Sequence, residues 1–178
     1  MYTEECIRIG RRLTTEGLVS GNFGNMSVRA EGGFYVTGNG AFLDEPGRLV
    51  FVPDEGEVPA AASSEYRVHR EIYGRTRHGA VVHGHPPHAI ALSYAASSLL
   101  PEDSEGILFC PEIPVVEGDP GTEELAWRVA DGVAHASAVI ARGHGTFAAA
   151  ETLVQAYLLT SVIEHACRII WLRREYRA

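Results

Sequence analysis

Apolar positions along the chain recur at helical spacing in some stretches and at alternate residues in others, which predicts interleaved helices and strands. Between Thr3 and about Glu16, Cys6, Ile7, Ile9 and Leu13 fall on helical spacing. Glu4 and Glu5 open that segment, Arg11 and Arg12 sit near its end, and Gly17 suits a C-cap, an order that complements the helix dipole. Met26–Arg29 reads as a strand, Gly32-Gly33 as a hairpin turn into Phe34–Val36, and Arg48–Val52 as a short strand ending at Pro53. Val68, His69, Ile72 and Tyr73 define an amphipathic helix, with a serine of Ser63-Ser64 expected at or near its N-cap and Glu65 in its first turn. A strand through Ala80–His85 is stopped by Pro86, and a helix through Ala89, Ile90, Leu92 and Ser93 follows. In the proline-containing stretch 97–119, the apolar runs Ile107–Phe109 and Ile113–Val116 predict two short strands, one of them at an edge. Gly121 to about Gly132 predicts a helix, Ala138–Ala141 a buried strand, and Arg142–Gly145 a tight turn before Thr146–Ala148. The longest helix runs from Glu151 to about Arg174, its apolar face interrupted by Glu164 and His165, which are expected to be hydrogen-bonded structural residues or subunit contacts.

No repeat or linker divides this pattern, so residues 1–178 are read as one domain. No run of eighteen apolar residues is present, and the start Met1-Tyr2-Thr3-Glu4-Glu5 is acidic where a signal peptide would be basic and then apolar, so a cytoplasmic protein with no membrane partner is expected. Cys6, Cys110 and Cys167 form no C-x-x-C pair, which argues against a disulfide framework. A net charge of −8 argues against general nucleic-acid binding. All 15 basic residues are arginine. Carbonyl activation through a lysine Schiff base is therefore closed within this chain, and a metal is the natural substitute.

The candidate chemistry lies in short polar motifs. His83-Gly84-His85 at a strand end sends both imidazoles to one face; alone it describes a ligand pair or a capped strand equally well. His144, between glycines, can reach into a cleft. Three such histidines with the upstream carboxylate of Glu65 suit a catalytic divalent cation. Asn25, the Asn39-Gly40 turn and Ser63-Ser64 add uncharged donors that suit an anion. His69, four residues beyond Glu65, reads either as a partner behind the site or as a packed ring.

Gly24-Asn25-Met26-Ser27-Val28-Arg29, Thr37-Gly38-Asn39-Gly40, Ser63-Ser64-Glu65, His83-Gly84-His85-Pro86 and Arg142-Gly143-His144-Gly145, in that order, resemble the class II aldolase and adducin family. The likeness is greatest to its compact archaeal-type L-fuculose-1-phosphate aldolases. It implies a three-layer αβα fold around a largely antiparallel sheet, and a homotetramer with the site near a subunit interface. It implies that His83, His85 and His144 bind Zn²⁺, or alternatively Mn²⁺, Co²⁺ or Fe²⁺. Glu65 would be a fourth ligand that substrate displaces and that then serves as the catalytic acid/base. Gly24, Asn25, Asn39, Gly40, Ser63 and Ser64 would hold the phosphate. The implied reaction is reversible cleavage of L-fuculose 1-phosphate, or a related ketose 1-phosphate, to dihydroxyacetone phosphate and an aldehyde such as lactaldehyde. Better-known bacterial members carry a middle-loop tyrosine that protonates the departing aldehyde. Residues 97–119 contain none, leaving Tyr176 in the tail as a substitute. Alternatives within the family are a sugar-phosphate 4-epimerase, which would typically carry aspartate at position 65, and a methylthioribulose-1-phosphate dehydratase. A non-catalytic adducin-like binding domain would have lost metal ligands, and a metal-dependent hydrolase would not need the phosphate loops.

Overall fold

The structure, a computed structural model, describes residues 2–177 and the side chains of residues 3–174. Its first helix, α1 (Tyr2–Thr15), buries Cys6, Ile9 and Leu13 and ends at Gly17, whose φ of 69° fits the expected left-handed cap. Strands β1 (Asn25–Ala30), β2 (Gly33–Val36) and β3 (Val50–Pro53) form an antiparallel meander. Helix α2 (Tyr66–Arg75) then leads to β4 (Ala80–Gly84), which pairs antiparallel with β1. Next come α3 (Pro87–Ser93), β5 (Ser98–Leu99), α4 (Ser104–Phe109), β6 (Ile113–Val116), α5 (Glu123–Ala136), β7 (Ala138–Ala141), β8 (Gly145–Ala150) and α6 (Leu153–Arg177). The strands form one sheet in the order β3-β2-β1-β4-β8-β7-β6-β5, parallel only between β6 and β7.

Strand alternation assigns each side chain to one of two helical layers. Val81 and Phe147 point toward α2 and α5 and pack with Val68, Ile72, Leu125 and Val129. Ala80 and Val82 point the other way, into a cluster with Ile9, Leu13, Leu153 and Ala156 from α1 and α6. Ala89 and Leu92 of α3 join Ile163, Cys167 and Ile170 of α6 over the β6–β7 end of the sheet. The result is the expected three-layer αβα arrangement. Leu153–Arg174 has the length and apolar composition to cross a membrane, but its buried Leu153, Ala156, Ile163, Ala166, Cys167 and Ile170 serve as core contacts. Each fully buried Leu or Ile contributes on the order of 1.5–3 kcal/mol to folding.

Two local expectations are corrected. Ile107–Phe109 lies in α4 rather than in a strand: Asp103 caps the helix by accepting from the Gly106 N–H at 2.9 Å, and Ile107, Leu108 and Phe109 are 55, 72 and 57% exposed, unlike residues of a covered sheet. The edge strand is instead Ser98–Leu99. At α2, Glu65 is itself the N-cap, with no side-chain cap, rather than a first-turn residue, and Ser63 and Ser64 come immediately before it, near the cap as expected. Ser63 Oγ accepts only weakly from the Glu65 N–H, at 3.4 Å, and both serines line the cavity described below.

Candidate active site

The site is assembled at the ends of the central strands. Asn25, the first residue of β1, pairs directly with His83 of β4, and His83 pairs in turn with Phe147 of β8. The three side chains form a row on the α2/α5 face. The His83 ring stacks on Phe147 with centroids 4.0 Å apart and planes 11° apart. His83 Nδ1–H donates to the Thr146 carbonyl at 2.9 Å, so its Nε2 carries the free lone pair. His85 follows the strand end, where its N–H donates to the Leu18 carbonyl at 2.7 Å, and its Nε2 lies 3.0 Å from that of His83. Phe23, exposed at the rim, stacks on the other side of His85 at 5.6 Å.

His144 arrives from the β7–β8 hairpin, with its N–H bound to Ala141 O at 3.0 Å and its Nδ1 buried without a partner. Gly145 makes this convergence possible: a Cβ there would lie 2.2 Å from the Gly84 carbonyl and 3.1 Å from the His83 ring. Gly24 is equally constrained, with φ of 80° and only 2.7 Å between an added Cβ and the His83 carbonyl. One nitrogen from each of His83, His85 and His144 lies within 4.8 Å of the others. Burial pushes all three imidazoles toward the neutral form, His85 down to about 4 and His83 well below its ordinary range, the latter also repelled by its two neighbours.

Glu65 is 7% exposed and its Oε2 has no hydrogen-bond partner. Burial raises its pKa, opposed by the backbone N–H of Gly121 and then by Arg67. It lines the same cavity as the histidines, although the tight cluster comprises the three imidazoles alone. Neutral nitrogen donors, one of them orphaned, beside an unpartnered carboxylate oxygen fit a divalent cation of intermediate softness.

The cavity, of about 250 Å³, gathers Gly24, Asn25, Asn39, Gly40, Ser63 and Ser64 with Glu65 and the three histidines. The motifs separated in sequence thus share one opening. Tyr176 falls in α6 by its backbone, but its side chain lies outside the described residues. Glu164 is structural, as expected: its carboxylate accepts from the backbone N–H groups of His88 and Ala89 at the start of α3, and from His88 Nδ1 at 2.6 Å. His69 proves to be more than a packed ring. It is fully buried, held neutral by burial with a pKa of about 3, and contacts Asn25 Oδ1 at 2.5 Å and Ser27 Oγ at 2.6 Å. In sequence it stands four residues beyond Glu65, and the alternation of Asn25 and Ser27 along β1 is the one signal that links it to that strand. Phe23, Thr146 and Gly121 carried no comparable signal.

The Class II Aldolase and Adducin N-terminal domain family matches residues 4–171. Among similar proteins, the L-fuculose phosphate aldolase of Methanococcus vannielii is 30% identical over 174 residues, 95% of each chain. The 5-methylthioribulose-1-phosphate/5-deoxyribulose-1-phosphate aldolase of Rhodospirillum rubrum is 31% identical, covering 93% of this chain and 78% of that one. The crystal structure of L-fuculose-1-phosphate aldolase from Thermus thermophilus superposes with a TM-score of 0.95 at 38% identity, covering 98% of this chain and 95% of that one. With a family match and a superposition that each span nearly its whole length, this chain belongs to the class II aldolase and adducin family, on its lyase side.

Proposed function

We propose that this protein reversibly cleaves a ketose 1-phosphate, L-fuculose 1-phosphate or a 5-deoxypentulose 1-phosphate, to dihydroxyacetone phosphate and a short aldehyde. The observation that carries the reading is the opening of three converging imidazoles and an unpartnered carboxylate into the same cavity as the Gly-Asn, Asn-Gly and Ser-Ser turns. His83, His85 and His144, joined by Glu65 before substrate arrives, would hold Zn²⁺ or a similar divalent ion. Such an ion would polarise the ketose carbonyl and offset the charge that builds as the C3–C4 bond breaks.

The remaining work falls to the chain itself. Thr146 O and Phe147 fix the His83 ring in orientation and tautomer. The uncharged donors of Asn25, Asn39, Ser63 and Ser64 anchor the phosphate end, compensating for the protein's overall negative charge. Glu65, whose carboxyl burial favours in the protonated form, is placed to return a proton to C3 after cleavage and to remove it in the reverse direction. The Rhodospirillum relative favours a second substrate, a 5-methylthio- or 5-deoxyribulose 1-phosphate, and Phe23 gives the rim an apolar wall suited to its tail. The reading includes a single cytoplasmic domain that works as a homotetramer; the apolar groove of Phe109, Leu158, Leu159 and Val162 offers a surface for a second copy.

Coupled detection of dihydroxyacetone phosphate across a panel of ketose 1-phosphates tests the reading. One of the two substrate types is expected to be cleaved well above the others, and no cleavage of any would refute it. Glu65→Gln should keep the fold and lower kcat by about 10²–10⁴-fold, the usual scale for a lost general acid/base. Near-normal turnover would move the proton-transfer role elsewhere.

A further inference from the structure

We infer that His69 is a positioning residue whose Nε2–H holds the Asn25 carbonyl, so that the Asn25 amide NH₂ is presented to the cavity as a fixed donor for the substrate phosphate. The inference rests on the proposed phosphate site and assigns to it a residue that makes no contact with substrate.

The hydrogen-bond polarity follows from counting protons along a buried chain. Tyr73 OH lies 2.7 Å from Ser27 Oγ, Ser27 Oγ lies 2.6 Å from His69 Nδ1, and His69 Nε2 lies 2.5 Å from Asn25 Oδ1. Tyr73, Ser27, His69 and Asn25 are all 5% exposed or less, so each proton needs an acceptor among these groups. Were Ser27 to donate to Tyr73, the phenol proton would have no acceptor among the described contacts. The phenol therefore donates to Ser27, and Ser27 donates to Nδ1. A neutral ring accepting at Nδ1 carries its proton on Nε2, which donates to the Asn25 carbonyl. Only the NH₂ of that amide remains, at the cavity wall. Had the amide turned over, a carbonyl would face the phosphate. Both Asn25 and Ser27 lie on one face of β1, and Ser27 pairs with Val81 as Asn25 pairs with His83, so the sheet register fixes the whole relay.

The first measurement uses the unaltered protein: ¹⁵N NMR of its imidazoles at neutral pH. His69 is expected as the Nε2–H tautomer, and an Nδ1–H tautomer would overturn the inference. The second is equilibrium binding of inorganic phosphate to the purified, metal-replete protein. Asn25→Ala and His69→Asn should each weaken it by about tenfold or more, the scale of one hydrogen bond to a charged group. His69→Gln, which can keep an N–H near the Nε2 position, should stay within about threefold of wild type, a change below the loss of one such bond. In turnover, His69→Asn should raise KM for the phosphorylated ketose about tenfold while kcat changes less than about twofold, as expected for lost uniform binding. Unchanged phosphate binding in Asn25→Ala would refute the phosphate site itself. Weakened binding in Asn25→Ala with none in His69→Asn, or equal losses in the Gln and Asn variants, would refute the positioning role alone.

Discussion

At the scale of single residues, the site depends on close approaches that tolerate no added atoms. Gly145→Ala would place a methyl 2.2 Å from the Gly84 carbonyl, between the two segments that carry the histidines. The expected outcome is a loss of about 1–3 kcal/mol of stability, read by denaturant titration, together with weaker metal retention. A variant as stable as wild type would mean that the hairpin can shift without cost. The residues that hold the cluster were legible as types and spacings, because H-x-H at a strand end and a histidine between glycines need only local geometry. The role of His69 was not, since its partners Asn25 and Ser27 lie 44 and 42 positions away and meet it only through strand pairing.

At the scale of elements, the strands that place His83, His85 and His144 were readable from alternation and turn residues, whereas segments governed by distant partners were not. Ile107–Phe109 is apolar enough for a buried strand, yet the local Asp103 cap draws it into a short helix whose outer side is uncovered. In the same way, nothing near Pro86 announced that α3 is capped by Glu164 from α6, 75 and 76 positions along the chain. That carboxylate binds the first free N–H groups of α3, immediately after the segment that carries His85. Glu164→Ala should therefore cost about 0.5–2 kcal/mol, seen as a lower Tm. An unchanged Tm would mean that water replaces the cap without loss.

For the whole molecule, the layered αβα fold buries histidines in neutral form, and this links stability to pH. His69 and His85 have pKa values lowered to about 3 and about 4, and His83 is well below its ordinary 6.5, in each case first because of burial. Once unfolded, all three take up protons near 6.5, while the folded chain does so only at lower pH. Below about 6.5 the unfolded state binds more protons, and stability falls as pH falls, by up to about 1.4 kcal/mol per pH unit for each fully titrating group. Glu65, with its raised pKa, acts in the opposite direction, its contribution declining as pH rises through its folded pKa, but it is one group against these three and His144, whose pKa burial also lowers. The Tm of the metal-free protein should drop between about pH 7 and pH 4.5. A flat or rising Tm would contradict the neutral burial of these rings.

If one ion held by His83, His85 and His144 makes the cavity an aldolase site, dihydroxyacetone phosphate release from the preferred ketose 1-phosphate must follow metal occupancy when chelator-stripped protein is titrated with Zn²⁺. Release should be negligible at the start and should rise with occupancy to a plateau at about one ion per chain, with no such rise in His83→Ala. Full cleavage by the stripped protein, or an equal response in His83→Ala, would contradict the account.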